Sequence, residues 1–167
     1  MNKQYPSWVV VILMLLAFLW GIVANHSAHA CSRTEVIVQE KAFAHQTLPA
    51  AQVNGGKSFG RTSSAIGIMA DSRHGCVVGA TVYLEDPVIL IASDVRGECL
   101  VAVYEHEQEH AKLAQAALEH FASVLRSGIQ TSELDALIER VSDRLSAANA
   151  SHDNPREYAR LQRICRG

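Results

Sequence analysis

Apolar and polar side chains alternate from Thr34 to Gln39 (TEVIVQ), with β-branched residues among them. That period of two predicts a strand with one buried face. From Leu48 to Ser64 the alternation dissolves into Pro, Gly, Asn and Ser, which predicts a loop or a hairpin tip around Asn54-Gly55-Gly56. Ala65 to Ala70 (AIGIMA), Cys76 to Leu84 (CVVGATVYL) and Val88 to Ala92 (VILIA) read as short strands. Turn residues separate them at Asp71 to Gly75 and at Glu85-Asp86-Pro87. Short runs joined by such turns predict a small, mainly antiparallel sheet of roughly three to five strands.

After Gly97 the period becomes that of a helix, from about Glu98 to Arg126, with Ser127-Gly128 as its stop. A second helix is expected from about Ser132 to Ala148, with Leu134, Leu137, Ile138, Val141 and Leu145 on one stripe. Asn154, Pro155 and Glu157 supply an N-cap, a first helical position and a capping-box acid, so a third helix should reach Cys165. The expected class is α+β: the sheet packs on the long helix, and two further helices follow.

The N-terminus changes the boundaries of that picture. Lys3 precedes an uncharged apolar run from Trp8 to Ala24 and then Ala28-His29-Ala30, the form of an export signal cut after Ala30. An uncleaved membrane anchor is the rival, since the run is only slightly shorter than the usual span of about 20 residues. A lipid-modified Cys31 is a third reading. All three place residues 31–167, expected to form a single domain, outside the cytoplasm: periplasmic, secreted, or anchored facing outward. The membrane is then a partner only through the N-terminal segment.

The 167 residues are 49% hydrophobic and 19% charged, enough for one core and too few for two comfortable domains. Losing Lys3 takes the formal net charge from −2 to −3. Such mild acidity excludes nucleic-acid binding driven by clustered Lys and Arg. Cys31, Cys76, Cys99 and Cys165 all lie in the exported part, where an oxidising compartment allows two disulfides in any of three pairings. Cys76 with Cys99 and Cys31 with Cys165 is the working hypothesis, because it ties a sheet strand to the entrance of the long helix and joins the two ends.

The candidate chemistry lies on the long helix, in His106-Glu107-Gln108-Glu109-His110, an H-E-x-x-H pattern. At about 100° per residue, both histidines fall on the face that also carries Leu113, Ala114, Ala117, Phe121, Val124 and Leu125. Glu107 falls at the edge of that face. Two imidazoles one turn apart can present nitrogen to one metal ion, zinc above all. Glu107 is the candidate catalytic base beside the metal ligands His106 and His110: a zinc-bound water has a pKa of about 7, within reach of a carboxylate.

On these residues the chain resembles the zincin superfamily of metallopeptidases, in which H-E-x-x-H sits on a helix beneath a small sheet. It is also similar to small exported bacterial proteins that carry a cysteine shortly before the motif. The resemblance implies an exported zinc peptidase acting on a peptide or protein substrate; the alternative is a zincin-like binding or envelope-assembly protein without turnover. It implies that an edge strand pairs with the substrate, for which Cys76 to Leu84 or Val88 to Ala92 are the candidates. The third histidine of the metzincins is absent, Ala116 standing in its place.

The third ligand stays open among Glu133, Asp135, Glu139 and His152. Glu139 with Asp143 fits an E-x-x-x-D text but lies away from the second helix's apolar stripe. Tyr158 and His152 are the nearest candidates for a transition-state donor. His45, His74 and His120 read as solvated, as does the Glu105, Glu109 and Lys112 face. Ala51 to Ser58 (AQVNGGKS) satisfies a loose phosphate-loop text but lacks the flanking strand and helix.

Overall fold

The computed structural model describes residues 31–53, 55 and 58–166. The expected signal or anchor at residues 1–30 lies outside the described residues, as do positions 54, 56 and 57 of the phosphate-loop text. Four strands come first: β1 (Glu35–Gln39), β2 (Ala44–Leu48), β3 (Gly60–Arg73) and β4 (Cys76–Ala92). Three helices follow: α1 (Gly97–Arg126), α2 (Leu134–His152) and α3 (Pro155–Arg166).

The expectation of a mainly antiparallel sheet is overturned. β1 and β2 both pair with β4 in parallel, and only β3 runs antiparallel to it. The chain reverses once into β3 and again into β4, so β4 regains the direction of β1 and β2 and then slots between them and β3. An alternating pattern reports burial and carries no record of direction. The class is α+β, with the helices following the sheet.

Two expected strands are one. β4 runs unbroken through Glu85-Asp86-Pro87, where Asp86 takes φ 41° and the pairing with β3 shifts between Ser63 and Ala65. Proline cannot donate to the ladder, so the strand bends there without ending. The part before the bend pairs β1 at Gly79 to Tyr83, and the part after it pairs β2 at Val88 to Ala92. β4 is therefore the central strand, and neither half is the free edge expected to take a substrate; among the described residues the edges are β3 on one side and β1 and β2 on the other. The β3 to β4 turn is His74-Gly75, with φ 52° and 79°, the left-handed pair that a tight hairpin demands.

The bend also divides the core. Val77, Val82 and Leu84 pack on Leu118, Phe121 and Leu125 of α1 and on Leu137 and Val141 of α2. Beyond the bend, Ile89, Ile91 and Ala92 pack on Ala102, Val103 and Ala111 of α1 and on Leu161 of α3. α1, at 30 residues about 45 Å long, spans both clusters.

The disulfides are Cys31–Cys76 and Cys99–Cys165, which overturns the working pairing. Cys31 meets Cys76 because Thr34, buried, donates its hydroxyl to the Val77 carbonyl at 2.7 Å and brings the N-terminal segment to the start of β4. Cys99 meets Cys165 because α3 returns across the first turn of α1. Two disulfides suggest an oxidising, exported environment. Among the described residues no helix is long and apolar enough to cross a membrane.

Candidate metal centre

His106, Glu107 and His110 are all buried on α1, in the half of the core beyond the bend. For the histidines this follows from their register with Ala102, Val103, Ala111 and Ala114. Glu107, expected at the rim of the face, is as buried as His106. The reason is β3, whose first residue lies directly over it: a Cβ on Gly60 would come within 2.8 Å of Glu107 Oε1 and 2.7 Å of Val103 Cγ1. Only glycine lets the strand approach so closely.

Thr62, two residues along β3, places its hydroxyl 2.9 Å from Glu107 Oε2 and 2.9 Å from the Glu107 carbonyl. One carboxylate oxygen is thereby tied to the sheet. Burial pushes the Glu107 carboxyl above its ordinary range, and the Thr62 hydrogen bond offsets part of that rise. Burial and the neighbouring His110 and His152 push His106 below the usual imidazole value, against the pull of Asp153 and Glu157.

The histidine rings meet the junction between α2 and α3. His106 Nε2 and His110 Nε2 are 3.2 Å apart, and Asp153 Oδ1 lies 3.1 Å from the first and 2.9 Å from the second. Asn149 Oδ1 lies 2.9 Å from His110 Nδ1, and Glu157 Oε1 lies 3.6 Å from His106 Nδ1. His152 stacks on His106, with centroids 4.5 Å apart and planes inclined by 21°. α2 runs to His152, four residues past its expected end, because Leu145, Asn149 and His152 continue the face turned toward α1.

Asn154 then caps α3 as expected, its Oδ1 accepting from the amides of Arg156 and Glu157 at 3.0 and 3.1 Å. Glu157's carboxylate turns to Arg160 and His106, leaving the capping box half made.

His106, His110 and His152 form a cluster that can hold a metal ion, their ligand nitrogens lying within 4.8 Å of one another. Two observations fit a cation. His152 Nε2 and His106 Nδ1 are buried without a hydrogen-bond partner. Moreover, an Asn149 oxygen facing His110 Nδ1 places that ring's proton on Nδ1, so His110 Nε2 offers a lone pair to Asp153 Oδ1, itself an acceptor. Two such atoms at 2.9 Å need either a proton or a metal cation between them.

His106, Glu107, His110 and Asp153 lie in the wall of a cavity of about 470 Å³, bounded by β3 from Gly60 to Ser64, by α1, and by Tyr158 and Leu161 of α3. Of the four residues weighed as third ligand, only His152 reaches the cluster. Glu133 accepts from the Gln130 amide at 3.0 Å, and Glu133, Asp135 and Glu139 are all exposed. His120 contacts Arg144 on the exposed side of α1, and His45 and His74 are exposed. Tyr158 reaches the cavity, its ring centroid 6.4 Å from that of His106. Asp153 was not among the sequence candidates.

Comparison with protein-family models, with curated proteins and with solved structures found no match. The chemistry of the site rests on its own geometry.

Proposed function

We propose that this chain is an exported zinc-dependent hydrolase of the zincin type, acting on peptides. The observation that carries the reading is a buried carboxylate, Glu107, held by Thr62 on the same helix as two buried imidazoles whose Nε2 atoms converge to 3.2 Å. His106 and His110 would hold the metal, with the junction of α2 and α3 completing its shell. A zinc ion bound there would polarise a carbonyl and bring the pKa of its water to about 7.

Glu107 takes the proton of the attacking water and delivers it to the leaving amine. Burial suits it to that work, since a raised carboxyl pKa lies closer to the operating pH. Thr62 fixes one carboxylate oxygen and leaves the other for the proton. Tyr158, at the cavity wall, offers a phenol O–H to the charge that develops on the carbonyl oxygen. The free edge of β3 runs along the same cavity, which suits an extended peptide.

Purified protein should carry about one zinc, and Glu107→Gln should keep the metal while losing hydrolysis of a peptide library by at least about 100-fold. A protein prepared without chelators that neither contains nor takes up zinc would defeat the reading.

A second reading is favoured by one observation. His152 and Asp153 both approach the two α1 histidines, and four protein ligands would close the shell as in a structural site. The chain would then be a zincin-like binding or envelope-assembly protein, and Glu107→Gln would change no activity.

A further inference from the structure

We infer that Asp153 is the third metal ligand and that His152 stands outside the shell, leaving the fourth position open. This rests on the metal reading above and names the ligand that reading lacks.

A tetrahedral zinc site with bonds of about 2.0 to 2.1 Å sets its ligand atoms about 3.3 Å apart. His106 Nε2, His110 Nε2 and Asp153 Oδ1 form a triangle with sides of 3.2, 3.1 and 2.9 Å. That is the footprint of three ligands on one face of a tetrahedron, drawn in by a few tenths of an ångström. The nitrogens of the three-histidine cluster are confined only to a 4.8 Å spread.

Ring orientation separates the two candidates further. A metal lies in the plane of each imidazole that binds it, along the nitrogen lone pair. The His106 and His110 planes are inclined by 85°, so they intersect close to both rings. Those of His106 and His152 are inclined by only 21° with centroids 4.5 Å apart, so their lone pairs run side by side and do not converge.

The surroundings of the triangle agree. His110 Nδ1 donates to Asn149 Oδ1, and Glu157 lies on the Nδ1 side of His106, the outer positions from which acceptors orient metal-binding imidazoles. His106 Nε2, His110 Nε2 and Asp153 Oδ1 turn toward one another at 2.9 to 3.2 Å. A divalent cation satisfies all three.

The experiment is zinc competition titration of the full chain, as wild type, Asp153→Ala, Asp153→Asn and His152→Ala. Each metal-free variant is checked by circular dichroism and thermal melting. Asp153→Asn preserves shape and can donate an amide N–H to His110 Nε2, which keeps a folded comparator if the alanine variant fails to fold.

Loss of an outer partner costs about 10- to 100-fold in affinity. The expected result is therefore more than about 100-fold weaker zinc binding for both Asp153 variants and less than about 10-fold for His152→Ala. A loss above about 100-fold in His152→Ala, with or without a loss at Asp153, would overturn the assignment, as would retained affinity in Asp153→Asn. Wild-type protein that binds no zinc would instead remove the metal reading itself.

Discussion

Glu107 is the residue whose environment departs most from its position in the helical pattern. The wheel placed it at the edge of the apolar face, and the structure covers that edge with Gly60 and Thr62. Nothing local to α1 announces this, because the cover comes from a strand more than forty residues earlier. Its raised pKa has a consequence for stability. The folded state holds the Glu107 proton more tightly than the unfolded chain does, so stability is greatest when the group is protonated. It falls as pH rises from the unfolded value near 4.5 through the higher folded value. In metal-free protein, Glu107→Gln should therefore melt above wild type at neutral pH and converge with it below about pH 4. Melting curves in chelator from pH 4 to 8 measure this, and a pH-independent difference would contradict it. His106 and His110 were legible from their spacing alone. Asp153 was not, because it sits in the turn between two predicted helices, where no periodicity marks a side chain as inward.

At the level of elements, the helices were readable because caps and apolar stripes are local. The strands were readable as segments and not as a sheet. Pro87 read as a terminator, whereas long pairing with β3 on one side and with β1 and β2 on the other carries β4 through it. α3 shows a different dependence. Leu161 is its one buried side chain among the described residues, and Cys99–Cys165 ties its end to the start of α1. Closing a loop of separation 66 contributes about 4 kcal/mol in the chain-entropy model. Replacing both cysteines by serine should lower stability by up to about that amount and zinc affinity by at least about 10-fold, since the junction before α3 is no longer pressed on α1. Serines at Cys31 and Cys76 should cost comparable stability and leave zinc affinity within about threefold, because that bond joins the N-terminal segment to β4 in the other half of the core. Urea unfolding and zinc titration of the two double variants separate these outcomes.

For the whole molecule, the bend at Pro87 has a consequence for how the fold comes apart. The two clusters strung along α1 share a backbone but few side-chain neighbours, which is the anatomy of two cooperative unfolding units. Native-state hydrogen exchange should resolve two openings of different free energy. Zinc should slow exchange in β2, the first turns of α1 and α3 while leaving the amides from Leu118 to Leu125 and from Leu137 to Val141 unchanged. Uniform protection across α1 would indicate a single unit. With two units, a metal ion held at the proposed site would leave through partial melting of one half while the Phe121 half stays native, so its exchange with the surroundings would run on the timescale of a local breathing motion and need no global unfolding.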